Sequence, residues 1–226
     1  MSTNLSGNIL TLGDTSLDES YLKIIKDQYV PTDNCKAGDT VILDGIECLC
    51  VATGVTIQGS NLTRIAVDKN HDLGYYQKYV GNQNGVVINQ IKDWRWGGYG
   101  TSTGTSLEVG YGLQNTIKCL ANTVNYTNGS SSNNRNYPLI WQGVNDFRSS
   151  HSDKWFVPSL KELQNYVYPY KSSLTFDTTT GGSSSSLFWS SSEYDHNQSY
   201  LVNLGNNSSA YSNKYYPRCI RLCRAF

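Results

Sequence analysis

From Gly38 onward the chain breaks into short β-rich runs, residues 40–43, 45–52 and 62–67, each closed by glycine or a polar turn. Such runs commit the chain to a sheet-containing fold. Abundant Gly, Ser, Asn and Thr, together with seventeen Tyr, favour strands and turns over a helical bundle. At 226 residues the chain can bury a full-sized core, as one domain or one domain with a small appendage.

Helical patterns interrupt the strands at two places. Leu113, Ile117, Leu120, Ala121 and Val124 recur at helical spacing and form one apolar stripe. Ser159 followed by Glu162 is a capping-box signature, with Pro158 before it, Leu160, Leu163 and Val167 on one face, and Pro169 beyond. The loop 93–112 is dense in Gly, Thr and Ser and carries Trp94, Trp96, Tyr99 and Tyr111. Residues 125–136 read as disordered, and 178–186 as a loop tolerant of insertion. Residues 187–226 read as strands joined by polar loops. The expected class is α+β over residues 38–226. Residues 1–37 form an N-terminal segment with a short helix at 17–30, where Tyr21, Leu22, Ile25 and Tyr29 approach helical spacing before Pro31.

Charge narrows the function classes. Eighteen basic residues balance eighteen acidic ones, so no basic face points to nucleic acid and no polybasic run points to an anionic membrane. No apolar run is long enough to insert into a bilayer, and residues 1–14 lack the charged and apolar regions of a signal peptide. The six cysteines include Cys48 and Cys50 on one strand face and the pair Cys219 and Cys223, neither with CxxC spacing. Without an export signal, buried free thiols are expected. His71, His151 and His196 lie too far apart for a metal-ligand motif, and Gly97-Gly98 and Gly181-Gly182 lack the strand-to-helix setting of a phosphate loop. No catalytic centre, metal or cofactor is expected.

Trp155 and Trp189 are expected as core anchors, Ser159 as a helix cap, and Arg221 and Arg224 as structural groups bound to carboxylates or loop carbonyls. Three segments, Asp153-Lys-Trp-Phe-Val-Pro-Ser-Leu-Lys-Glu-Leu163, Phe188-Trp-Ser-Ser-Ser-Glu193 and Ile220-Arg-Leu-Cys-Arg-Ala-Phe226, together with Gly110-Tyr-Gly-Leu-Gln-Asn-Thr116 at a helix start, resemble the lectin-like domains of the Lcl C-terminal-domain type. The resemblance implies a C-type-lectin-like fold with two helices, a small twisted antiparallel sheet and long loops.

Residues 194–216 are the unusual part. Sixteen of these 23 residues are Tyr, Asn, Ser, Asp or His, yet Tyr200, Val202 and Leu204 still alternate inward, which leaves Leu201 and Asn203 outward. Outward Tyr and Asn have the chemistry of a paratope: large rigid contact area beside adaptable hydrogen bonding. Tyr, His, Asp and Ser are each one adenine change from an Asn codon. Ahead of the terminal Ile-Arg-Leu-Cys-Arg strand, this segment is similar to the variable region of a diversity-generating retroelement protein. The resemblance implies ligand-facing positions at Tyr194, Asp195, His196, Asn197, Leu201, Asn203, Asn206, Asn207, Tyr211, Asn213, Tyr215 and Tyr216. The implied partner is a protein or polysaccharide ligand on a cell surface, and the implied location is a virion, such as a phage tail, or a cell surface.

An alternative reading is a lectin-like domain that binds carbohydrate or protein and whose polar loop never diversifies, and two further classes stand beside it. Formylglycine-generating oxidases share the fold and use a cysteine pair near the C-terminus, which directs attention to Cys219 and Cys223. A calcium-dependent sugar lectin would need clustered carboxylates, and Asn145-Asp146 alone does not supply them.

Overall fold

The computed structural model describes residues 32–76, 94–123, 138–176 and 186–226 in full, and the backbone of strands at 4–6, 9–12, 15–17, 80–83 and 86–89. The expected helix at 17–30 lies outside the described residues, except that Leu17 ends a strand. The stretch 125–136, Val124 at the end of the predicted apolar stripe, and 178–185 also lie outside them.

Three N-terminal strands, β1 (Asn4–Ser6), β2 (Ile9–Leu12) and β3 (Thr15–Leu17), form an antiparallel meander. The main sheet begins with β4 (Thr40–Leu43), β5 (Ile46–Thr53) and β6 (Arg64–Asp68), close to the three runs expected from sequence. A short helix α1 (Leu73–Tyr76), the hairpin β7 (Val80–Gln83) and β8 (Val86–Asn89), and the two-residue β9 (Trp94–Arg95) follow. Next come α2 (Gly112–Asn122), α3 (Ile140–Ser150), β10 (Trp155–Phe156) and α4 (Leu160–Glu162). Strands β11 (Leu187–Glu193), β12 (Gln198–Asn203), β13 (Ser208–Asn213), β14 (Pro217–Arg218) and β15 (Cys223–Ala225) complete the chain. The main sheet runs β10-β15-β6-β5-β4, all antiparallel, and β11-β12-β13 form a second antiparallel sheet. The class is α+β. Among the described residues no helix is long and apolar enough to cross a membrane.

Period-2 alternation divides the core into two apolar clusters. On β6, Ala66 joins one cluster while Ile65 and Val67 join the other; on β11, Trp189 and Phe188 divide in the same way. The first cluster holds Trp94, Trp96, Trp141, Trp155 and Trp189, all fully buried, and is closed by Trp141, Val144 and Phe147 of α3. The second is closed by Leu160, Leu163 and Val167. The anchoring roles expected for Trp155 and Trp189 hold.

Helix α3 is a third major helix that the sequence pattern did not announce. Its approach to the core depends on Gly143, where an added Cβ would lie within 2.5 Å of Trp94 Cη2. The helix expected after Ser159 forms with its capping box intact, but it continues past Glu162 as a wider turn over Leu163–Val167 and a tighter one over Tyr168–Ser173 that contains Pro169. Glu162 also joins two elements. Its Oε2 accepts from Ser159 N at 2.7 Å, and its Oε1 accepts from Gly110 N at 2.8 Å and Gly112 N at 3.4 Å, at the start of α2. Burial pushes its carboxyl up to about 7 against the pull of these N–H donors.

One expectation is corrected. Leu201 is 3% exposed and packs in the tryptophan cluster opposite Trp189, so it is not an outward position. Strand β12 is the middle strand of its sheet, and Val202 on its other side enters the second cluster. At Leu201 and Val202, alternation along β12 therefore separates two cores rather than core from solvent.

The terminal arginines are structural, as expected. Arg221 is fully buried, pairs with Asp72 at 2.8 Å and donates to the carbonyls of Asp68 and His71. Arg224 Nε pairs with Asp44 at 2.6 Å. All six cysteines are buried and free.

Candidate functional site

Strands β12 and β13 pair with Tyr200 opposite Tyr211 and Gln198 opposite Asn213. Directly opposed residues share a sheet face, so these four side chains form a continuous strip. Tyr194, from the turn before β12, stacks on Tyr211 with centroids 4.1 Å apart and planes 6° from parallel. Tyr200 meets Tyr194 edge-on at 5.4 Å. Farther along, Gln198 Nε2 donates to Asn213 Oδ1 at 3.4 Å and Asn213 Nδ2 donates to Tyr215 OH at 2.8 Å. Tyr215 in turn packs on Tyr216 at 4.7 Å and on Tyr99 at 5.3 Å, and the Arg218 guanidinium lies over the Tyr216 ring. Hydrogen bonding to Tyr215 pushes the Tyr216 phenol up.

Three of these aromatics face solvent, while Tyr99, Tyr200 and Tyr215 are half-buried. Tyr194, Tyr211 and Tyr216 are 47%, 52% and 40% exposed. A buried polar network joins the segments that carry them. Lys214 is fully buried, and its Nζ donates to Glu193 Oε1 at 2.6 Å and to the Thr101 carbonyl at 2.8 Å while sitting over the Trp96 ring. Glu193 Oε2 accepts from Thr103 N at 2.7 Å and Gly104 N at 3.0 Å. Gly100 N donates to His196 O and Lys214 N to Asn197 O. The loop around residues 97–104, the turn at 194–197 and the end of β13 are thereby fastened to one ion pair. Burial pulls the Lys214 ammonium below its usual range, and the Glu193 carboxylate opposes that shift.

The predicted site residues divide into groups. Tyr194, His196, Asn206, Tyr211 and Tyr216 are exposed; Asp195, Asn197, Asn203, Asn207, Asn213 and Tyr215 are half-buried; Leu201 is buried. Tyr194, Tyr211, Asn213, Tyr215 and Tyr216 come together. Asn203, Asn206 and Asn207 lie at the opposite end of the hairpin, about 17 Å away for a strand of this length. Their polar groups shape the turn. Asn203 Oδ1 accepts from Gly205 N, Asn206 Oδ1 accepts from Ser208 N, and Asn207 adopts a left-handed φ of 62°. Asp195 Oδ1 is likewise engaged by Asn197 N and Gln198 N.

Sequence reasoning missed Tyr99, Gln198 and Arg218 on the surface, and Glu193 and Lys214 beneath it. Tyr99 carried a usable signal, being a lone aromatic in Gly97-Gly-Tyr-Gly100, where all three glycines adopt positive φ. Nothing local marks Lys214 as buried.

The cysteines singled out for an oxidase, Cys219 and Cys223, are 2% and 0% exposed, and burial pushes the Cys223 thiol well above its usual range. Among the described residues no three His, Cys, Asp or Glu side chains converge as a metal site. No protein-family model and no curated protein matches the chain.

Proposed function

We propose that this chain is a non-enzymatic ligand-binding protein of C-type-lectin-like architecture that presents a diversified tyrosine surface for receptor binding or adhesion, as at a phage tail tip or on a cell surface. The stacked, exposed pair Tyr194–Tyr211, in a hairpin fastened by the buried Lys214–Glu193 ion pair, carries this reading. Exposed aromatics are costly to leave in water and are at home under a partner, and Tyr and Arg are frequent interface hot spots. The buried ion pair keeps the cost of ordering the surface on binding low. The sequence resemblance supplies the diversification element, with Leu201 withdrawn from the ligand-facing set because it belongs to the core.

The coding locus tests diversification. A near-copy of the stretch encoding residues 189–226, differing at adenines and lying beside a reverse-transcriptase gene, is expected. Its absence would remove the diversification element. A displayed library randomised at Tyr194, His196, Tyr211 and Tyr216 and sorted by protease resistance tests the surface itself. Folded clones should carry most residue types at these four positions, and collapse of the library to tyrosine would overturn the assignment.

A further inference from the structure

Cys35 Sγ lies 3.6 Å from Cys50 Sγ, two buried thiols in contact across fifteen residues of chain. We propose that this pair is a disulfide-forming site that staples the chain's entry into the domain to the main sheet under oxidising conditions. The backbone holds the two residues in register. Gly38 N donates to Cys50 O and Cys50 N to Asp39 O, both at 2.8 Å, while Lys36 N bonds Asp39 Oδ2 to close the turn after Cys35. Cys35 is the buried residue in an otherwise exposed run, residues 32–38, so a small opening of that turn uncovers its thiol. Cys50, by contrast, is fixed in β5.

The oxidant is a low-molecular-weight disulfide such as glutathione disulfide. The Cys35 thiolate attacks one glutathione sulfur and expels the other as a thiolate, which takes up the proton lost from Cys35. The Cys50 thiolate then attacks the Cys35 sulfur of the mixed disulfide and releases the second glutathione, which takes up the Cys50 proton. Two protein thiols become one disulfide, and two electrons and two protons pass to glutathione. Cys35, in the exposed run, is the first nucleophile, and burial, which pushes the Cys50 thiol up to about 12, makes the second step the slow one. Closing this loop removes conformational freedom from the unfolded chain, so the oxidised form is the more stable one.

The full-length protein, incubated with oxidised glutathione at pH 8 without denaturant, is digested and mapped by mass spectrometry without reduction. A cross-linked peptide pair joining Cys35 to Cys50 is expected, with the other four cysteines still titrating as thiols after unfolding. Oxidation should raise the melting temperature by several degrees, reversibly with dithiothreitol. The Cys35→Ser variant should show no oxidation-dependent shift, and Cys48→Ala should keep it. Persistent glutathionylation without the cross-link, bridging to Cys48, or six titratable thiols after oxidation would each overturn the proposal.

Discussion

Lys214 Nζ sits 2.6 Å from Glu193 Oε1 with the two side chains 0% and 5% exposed, each next in the chain to a tyrosine of the exposed cluster, Tyr215 and Tyr194. Removing one partner leaves the other charge buried and uncompensated. Lys214→Met is expected to cost about 3–5 kcal/mol in urea unfolding. The double variant Lys214→Met/Glu193→Gln should cost less than the sum of the two single changes. Strict additivity would mean that the pair does not act as a unit.

The division between surface and core gives opposite expectations on a single hairpin. Tyr216→Ala should shift stability by no more than about 0.5 kcal/mol, and Tyr211→Ala by about 1 kcal/mol because its stack on Tyr194 is lost. Leu201→Ala should cost about 2–5 kcal/mol and Trp189→Ala about 3–5 kcal/mol. A Tyr211→Ala variant as unstable as Leu201→Ala would sink the inside–outside assignment.

Glu162 predicts a pH dependence of defined sign. Its carboxyl lies at about 7 in the fold against an ordinary 4.5, so the folded state binds the proton more tightly. Its stabilising contribution is fully present below about 4.5 and lost as pH rises through about 7, a loss approaching about 3 kcal/mol. Asp44 and Glu47 are shifted downward, so their contributions run the other way. The measurement is therefore the stability difference between wild type and Glu162→Gln at pH 5 and pH 8. The wild type should lose ground to the variant as pH rises, and a flat difference would refute the assignment.

Gly143 is where α3 reaches Trp94. Gly143→Ala places a methyl group against the indole ring, and with both groups buried the overpacking should cost about 1–3 kcal/mol. A melting temperature equal to that of wild type would show that the ring has room to move.

Much of the scaffold was legible in the chain. Alternating runs located β4, β5 and β6, the Ser159/Glu162 signature located the helix cap, and terminal Arg221 and Arg224 were recognisable as structural because guanidinium groups among apolar residues need fixed acceptors. Helix α3 was not legible. Its apolar residues Trp141, Val144 and Phe147 follow residues 125–136, whose composition reads as loop, and Gly143 weakens its helical signal.

Local matters were set by the residues themselves: the runs that became β4, β5 and β6, the cap that opens the helix at Ser159, and the tyrosine- and asparagine-rich segment at 194–216. Tertiary structure alone decided which faces meet water. Period-2 alternation says that neighbours on a strand point apart, but not whether the second side meets solvent or another core, and so Leu201 changed sides. Tertiary structure also carried Tyr99 from ninety-five residues upstream of Tyr194 to Tyr215, and set Lys214 against Glu193. Those contacts come from packing between distant segments, which no local pattern encodes.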